Sequence, residues 1–165
     1  NTLSFAFQDM KKQLRRHIKV DHTTKFNPTP IKEQLGLIDD AWSRFMEQID
    51  PMANYPLSGA SVQRFVESLF LSDKEIEEGK QPSSSKYKEI NQITSLLHSA
   101  PGQDIATAKD TLWGALNAVT NYVDHVRSAK SGERIDSAWF GTGAALKQRA
   151  WDRALALIEM GQESA

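Results

Sequence analysis

Two segments near the C-terminal end of the chain decide its fold: TLWGALNAVTNYVDHVR at residues 111–127 and SAWFGTGAALKQRA at residues 137–150. Each is typical of a helix or a helix start, and each places polar side chains among apolar ones. Burying such polar groups costs free energy unless they pair with one another or with a ligand. The sequence therefore predicts a helical domain with a polar site. The groups concerned are Asn117, Asp124, His125, Arg127, Lys147 and Arg149.

Apolar side chains recur at three- and four-residue steps through most of the remaining chain. They predict helices over residues 2–17, 30–51, 58–70 and 87–100, a long helix over 103–129, and a last helix that begins between 136 and 142. Only residues 18–22, IKVDH, alternate in the manner of a strand. We therefore expect an all-α fold, a compact multi-helix domain of about six helices, with at most a short β element near residues 18–22.

The length and composition suit a single domain. The chain has 165 residues, of which 39% are hydrophobic and 25% charged, so one helical domain over residues 1–165 is expected. Residues 73–85 are polar and include Gly79, Pro82 and three serines, which predicts a flexible loop. Because the chain opens on Asn1 and not on methionine, we expect it to be the C-terminal part of a longer protein.

The residue types that the sequence lacks exclude several kinds of site. There is no cysteine, which removes disulfides, thiolate metal sites and cysteine nucleophiles and fits a reducing compartment. No apolar run approaches the roughly 20 residues of a membrane helix, so we expect no membrane contact and a cytoplasmic location. The four histidines show no zinc-helix spacing, and no GxSxG elbow is present. We assign no catalytic residue, no metal and no cofactor.

A basic cluster near the start of the chain predicts contact with DNA, because such cations neutralise backbone phosphates. It consists of Lys11, Lys12, Arg15, Arg16 and Lys19. Three further cations would extend it if the fold brings them near: Arg127, Lys147 and Arg149. The alternative is a solvated helix face, the usual place of a run of charges. The net charge of the whole chain does not support DNA binding, since its 20 Lys and Arg are balanced by 21 Asp and Glu.

The polar-site candidates allow two interpretations each. They are His22, Asn117, Asp124, His125, Trp139, Gly141 and Gly143. Residues 117–125 form either a binding or acid–base surface, in which His125 titrates near neutrality, or a helix end at which Asp124 and Arg127 are solvated and His125 bonds a neighbouring loop. The WFGTG stretch at residues 139–143 is either an anion site at a helix N-terminus or a tight turn whose Trp139 and Phe140 fill the core. Both alternatives stay open at this point.

Four stretches resemble the phage/plasmid-like protein family known as domain of unknown function 932. They are NTL at residues 1–3, DHT at 21–23, NAVTNYVDH at 117–125 and WFGTGAALK at 139–147. Asp21 stands where the family pattern has a basic residue. The resemblance covers nearly the whole chain and implies a cytoplasmic bacterial protein carried on prophages and plasmids. It attaches no activity to these motifs, and the mobile-element context is an association and not a mechanism.

Three functions follow as hypotheses. The first is a non-enzymatic domain of a mobile-element protein that contacts DNA in recombination or single-strand handling. The second is an interaction or assembly module that docks an absent N-terminal region, another subunit or a second copy of itself. The third is an enzyme acting on a phosphate-containing substrate, with His125 as the acid–base group and the turn Gly141–Gly143 as the anion site.

Overall fold

The computed structural model describes residues 29–128 and 134–163. Within these ranges the chain forms seven α-helices and no strand, which confirms the all-α class. The helices are α1 Thr29–Asn54, α2 Ala60–Ser68, α3 Asp73–Glu77, α4 Tyr87–Ser99, α5 Leu112–Asn121, α6 Arg134–Phe140 and α7 Thr142–Glu163; a π-helical turn, Tyr122–Val126, continues α5. The predicted helix over residues 2–17 and the predicted β element near residues 18–22 lie outside the described residues.

The chain divides into two compact units, Asn1–Ile49 and Asp50–Ala165. In the described part of the first unit, the rings of Trp42 and Phe45 on α1 lie 5.6 Å apart between centroids. The second unit contains helices α2 to α7 and the π turn, and both polar motifs belong to it. The expectation that residues 1–165 form one domain stays a prediction.

Helix α5 is the centre of the second unit. All of its residues from Leu112 to Thr120 are buried except Asn117, which is half-buried, and a helix buried all round belongs in the interior of a fold. It packs against α2, α4 and α7. The helix begins where it does because Thr111 caps it, accepting a hydrogen bond from the Gly114 N–H at 3.1 Å.

The predicted long helix over residues 103–129 begins later than expected. Residues 103–110 form turns, and the buried Gln103 side chain donates a hydrogen bond to the Gly114 carbonyl at 3.0 Å. Gly114 is required here, because a Cβ at this position would lie 1.9 Å from the Ala108 carbonyl oxygen. This close approach folds residues 103–110 back against the first turn of α5.

A short antiparallel bridge ties the start of α5 to the chain that follows α1. The Leu57 N–H donates to the Asp110 carbonyl at 2.9 Å, and the Leu112 N–H donates to the Tyr55 carbonyl at 3.0 Å. Pro56 and Thr111 form the isolated bridge between these bonds. Asp110 adopts a left-handed conformation with φ of 55°, which aspartate tolerates better than most side chains.

The predicted loop over residues 73–85 starts with a short helix. Ser72 and Glu75 form a capping box: the Glu75 N–H donates to the Ser72 hydroxyl, and the Ser72 N–H donates to the Glu75 carboxylate at 2.9 Å. Such reciprocal bonds nucleate a helical turn even in a polar stretch. The helix α3 therefore occupies Asp73–Glu77, and the flexibility of the remainder stays a prediction.

The last predicted helix is two helices separated by Gly141. The Gly141 N–H donates to the carbonyls of Asp136 and Ser137, which closes α6, and the Gly141 carbonyl then accepts from the Ala145 N–H in the first turn of α7. The α6 helix packs on α7 and on the π turn. This arrangement brings the two motifs of residues 111–127 and 137–150 into contact.

Candidate functional site

The π-helical turn Tyr122–Val126 lies at the centre of the candidate site. Its defining bond runs from the Arg127 N–H to the Tyr122 carbonyl at 2.7 Å, one residue further back than an α-helix allows. The turn ends the helix, since the backbone of Arg127 after it is no longer helical, with a ψ of 132°. The turn directs Tyr122 and Val123 into the interior, leaves Asp124 half-buried and exposes His125 and Val126.

Asp124 and Lys147 meet as a buried ion pair between the π turn and α7. The Lys147 ammonium donates to Asp124 Oδ1 at 3.0 Å, and its side chain is 1% exposed. The same ammonium lies 5.9 Å from the centre of the Trp139 ring on α6, within the range of a cation–π contact. Asp124 compensates the charge of Lys147, which would be costly to bury alone. These three predicted residues are thus brought together.

Glu89 on α4 forms a second cluster on the other side of the same turn. Its carboxylate accepts from Lys86 at 2.8 Å and from the Tyr122 hydroxyl at 3.1 Å, and it lies 3.8 Å from Arg127 Nε. Arg127 also donates to the Thr142 hydroxyl at 3.0 Å, at the start of α7. The sequence interpretation did not include Glu89, Lys86 or Tyr122 in the site. The spacing of Lys86 and Glu89 at i, i+3 was the available signal.

The pKa values of this cluster reflect its burial and its charges. Burial raises the pKa of Glu89, but the hydrogen bond and charge of Lys86, the Tyr122 hydroxyl and the charge of Arg127 together hold it below the ordinary value of 4.5. Burial, followed by the charge of Glu89 and the hydrogen bond to it, raises the pKa of Tyr122 to about 12. Tyr122 therefore stays a neutral donor and Glu89 a charged acceptor at neutral pH.

The two glycines of the WFGTG stretch permit close packing. A Cβ on Gly143 would lie 2.8 Å from the Ser137 carbonyl oxygen and 2.8 Å from Val123 Cγ1 on the π turn, and one on Gly141 would lie 3.1 Å from the Ser137 Cα. Gly143 is buried, and the Gly141 N–H is already bonded to two carbonyls. The contacts support a packing role for both glycines more directly than an anion site, which needs N–H groups directed at the ligand.

The alternative in which Trp139 and Phe140 fill the core is wrong. Trp139 is 39% exposed and Phe140 is 70% exposed. The reason is that α6 is short and packs through Ala138, which is buried, so that its aromatic residues fall on the outer side of the contact. Trp139 keeps a role through its ring contact with Lys147.

The remaining candidates are dispersed or lie outside the described residues. Asn117 is half-buried about two turns before Asp124 on α5, and His125 is exposed on the π turn. Arg149 donates to the Leu69 carbonyl at 2.7 Å and so joins α7 to the end of α2. His22 and five basic residues of the predicted DNA-binding cluster lie outside the described ranges: Lys11, Lys12, Arg15, Arg16 and Lys19.

The described residues contain neither a cluster of metal-binding side chains nor a membrane-spanning helix. In residues 29–128 and 134–163, no three His, Asp or Glu side chains come close enough together to hold a metal ion. None of the helices in these ranges combines the length and the apolar character of a membrane span.

Comparison with protein families matches residues 1–139 to the family described as Domain of unknown function (DUF932). The chain belongs to the DUF932 family. The match includes α5, the π turn and α6 as far as Trp139, and it ends before Lys147. The DUF932 part of the chain therefore supplies Asp124 and Glu89, whereas the partner of Asp124 lies beyond the matched residues. No curated protein and no solved structure matches the chain.

Proposed function

We propose that this chain is a non-enzymatic domain of a cytoplasmic phage or plasmid protein and that it contacts DNA during recombination or single-strand handling. The observation that carries the proposal is the uneven charge of the chain. The first 28 residues hold six Lys and Arg against two Asp and Glu, whereas the rest holds 14 against 19. A local excess of positive charge is the electrostatic footprint of a phosphate-binding segment.

The side-chain contacts of the second unit show which of its candidate cations are already bonded within the fold. Lys147 is buried against Asp124, and Arg149 donates to the Leu69 carbonyl. Arg127 lies between Glu89 and the Thr142 hydroxyl. A cation that is already bonded within the fold gains little from a phosphate, because it must first leave its partner. The proposal therefore assigns phosphate contact to the basic cluster of residues 11–19.

A salt titration of DNA binding tests the proposal. Labelled single-stranded and duplex DNA is titrated with the whole chain at several salt concentrations, and log K is plotted against log[salt]. A variant carrying K11Q, K12Q, R15Q and R16Q is compared with a matched control, K74Q with K80Q, which removes two exposed lysines of the second unit. The quadruple variant should flatten the slope by about 0.9 for each duplex phosphate that it no longer neutralises, and by about 0.7 on single strands.

The control variant and K147M should keep the slope of the wild type, since these lysines are not assigned to phosphate. Absence of affinity at low salt removes the proposal. The control removes two positive charges and the quadruple variant four, so a flattening in the control of about half that in the quadruple variant would show that binding follows total charge and not the basic cluster.

A second candidate function is an interaction module, which the exposed apolar side chains near the π turn favour. Val126, Trp139 and Phe140 are all exposed by more than a third of their surface. Trp139 and Phe140 are consecutive aromatic residues at the end of α6, and aromatic side chains are enriched in protein–protein interfaces. Static light scattering over a range of concentrations checks for self-association, and F140S should lower the mean mass if this surface joins two copies. A monomer at every concentration argues against a second copy as the partner.

A further inference from the structure

A cleft lies in the second unit, between helix α7 and the corner of the chain that joins α2 to α3. Its volume is about 480 Å³, which falls within the range of small-ligand sites. The α7 residues that line it are three or four positions apart, so one face of this helix forms one wall of the cleft. These residues are Arg149, Asp152, Arg153 and Ala156.

Two arginines connect this wall to the opposite one. Arg149 donates to the Leu69 carbonyl at 2.7 Å, and Arg153, one turn further along α7, donates to the Asp73 carboxylate. These two contacts hold the corner beside α7 while the space between them stays open. Apolar side chains line part of that space: Phe70, Leu71 and Ala156.

Two opposite charges in the cleft have only neutral partners within the described residues. Arg149 bonds the Leu69 carbonyl, and the Asp152 carboxylate accepts from the Gln148 amide at 2.8 Å. The charge of Arg153, in contrast, is paired with Asp73. A guanidinium has five N–H donors and a carboxylate about four acceptor positions. A small ligand inside the cleft can therefore bind both groups while the bonds to Leu69 and Gln148 remain in place.

The spacing of these two charges indicates the class of ligand. Residues three apart on a helix have Cβ atoms about 5–6 Å apart, so Arg149 and Asp152 are neighbours on the wall. A simple anion would be repelled by Asp152, and a simple cation by the arginines. An α-amino acid carries both charges on one carbon, so its carboxylate can meet Arg149 and its ammonium Asp152.

We propose that this cleft binds a free α-amino acid with an apolar side chain. The ligand carboxylate bonds Arg149, the ammonium bonds Asp152, and the side chain contacts Phe70, Leu71 and Ala156. The site is separate from the basic cluster of residues 11–19 in sequence, and the proposal does not depend on DNA binding.

A titration of the whole chain followed by the NMR shifts of its backbone amides tests the site. The probes are L-leucine, N-acetyl-L-leucine, which lacks the ammonium, L-leucinamide, which lacks the carboxylate, and glycine, which lacks the side chain. L-leucine should give saturable shifts at residues 70–73 and 149–156 with a Kd of about 1 mM. Each of the other probes should bind at least about tenfold more weakly, because it loses one of the three contacts.

Asp152→Asn separates recognition of the ammonium from general attraction to the cleft. Asp152 is exposed, so the substitution leaves the core unchanged. It should weaken L-leucine by at least about tenfold and leave N-acetyl-L-leucine no weaker than in the wild type. Asp104→Asn, which removes an exposed carboxylate outside the cleft, is the matched control and should bind L-leucine as the wild type does.

The proposal is overturned if L-leucine gives no saturable shift at residues 70–73 and 149–156 at about ten times the expected Kd. It is also overturned if N-acetyl-L-leucine binds the wild type as tightly as L-leucine does, or if Asp152→Asn and Asp104→Asn have equal effects. The probe series uses the wild type and so decides the question without any variant.

Discussion

Lys147 is among the largest fully buried side chains in the described residues, and it is the only charged residue in that group. A long cation is tolerated there because its ammonium meets a carboxylate and the face of an indole ring. Removing one member of such a pair costs more than the pair itself contributes, since the other charge stays buried without compensation. Replacing Asp124 leaves a fully buried charge on Lys147, whereas replacing Lys147 leaves the charge of Asp124, which is 17% exposed.

Lys147→Met should lower the free energy of unfolding by about 3 kcal/mol, at the low end for a broken buried pair, because Asp124 keeps some contact with water. Urea unfolding followed by circular dichroism measures the change. A double-mutant cycle with Asp124→Asn gives the control. The double variant should lose less stability than the sum of the single variants, by about 1 kcal/mol or more. Additive losses would contradict a direct interaction.

Gly143→Ala should destabilise the fold by about 1–3 kcal/mol, because the new methyl group would press on the Ser137 carbonyl and on Val123. Gly36→Ala is the matched control. It lies in α1 with nothing within 4 Å of the added carbon, so it should stabilise its helix by up to about 1 kcal/mol. Thermal unfolding of the two variants gives shifts of opposite sign if the packing is as described.

At the scale of elements, one carboxylate joins α4 to the π turn and to the residue that closes it. The Glu89 carboxylate contacts Lys86 at the start of α4, Tyr122 in the π turn and Arg127 directly after the turn. Its pKa is held below 4.5 in the folded protein. The ionised form therefore stabilises the fold above that pH, and the contribution is lost as the pH falls through the folded-state pKa.

Glu89→Gln should accordingly flatten the pH dependence of stability in the acid range below about pH 4.5, the ordinary pKa of this side chain. The wild type should lose stability over this range more steeply than the variant, as measured by urea midpoints at each pH. Glu78→Gln offers a control, since this exposed carboxylate also pairs with lysines. Equal slopes for the wild type and Glu89→Gln would mean that the cluster contributes nothing to acid stability.

The helical faces could be predicted from the sequence, but the π turn could not. Val62 and Phe65 on α2 are spaced for one apolar face, as are Ile90 and Ile93 on α4, and all four are buried as that spacing predicts. The side chains of the turn bind Glu89 and Lys147, which are remote in sequence, and no local pattern indicates these partners. The boundary at Leu112 escaped prediction for a related reason. Residues 103–110 have helical composition, but the close approach of Ala108 to Gly114 stops them from continuing the helix.

The polar site was predicted in part. Asp124, Lys147 and Trp139 converge, as the cost of burying polar groups alone leads one to expect. His125 does not share that cluster's burial, because adjacent residues of a helix point in different directions. Asn117 is half-buried about two turns before Asp124. Charge and spacing along one helix can be inferred from its own residues, whereas the partner that a side chain meets on another helix depends on how the helices pack. For that reason Glu89 was missed.

At the scale of the whole chain, the second unit has a core of its own. Its fully buried side chains include Met52, Leu69, Ile90, Leu112 and Leu116, which come from different parts of residues 50–163. A set of apolar residues that bury one another in this way is what independent folding requires. We therefore expect residues 50–165 to fold without the residues before them.

A fragment of residues 50–165 should fold by itself, with a helical circular dichroism spectrum and one cooperative unfolding transition. Leu116→Ala in the same fragment provides the comparison, since Leu116 is fully buried on α5. It should lower the free energy of unfolding by about 2–5 kcal/mol. A fragment without cooperative unfolding would show that the second unit needs the residues before it.

The bridge between residues 55–57 and 110–112 bears on the order of folding events. The bridge joins chain segments that are far apart in sequence. Forming it therefore closes a loop of chain that contains α2, α3 and α4. The entropy cost of closing a flexible loop grows only with the logarithm of its length. Lengthening the segment between α3 and α4 by a few residues would therefore slow this closure very little. The molecule can accept insertions there at small kinetic cost, while the central helix keeps its anchorage.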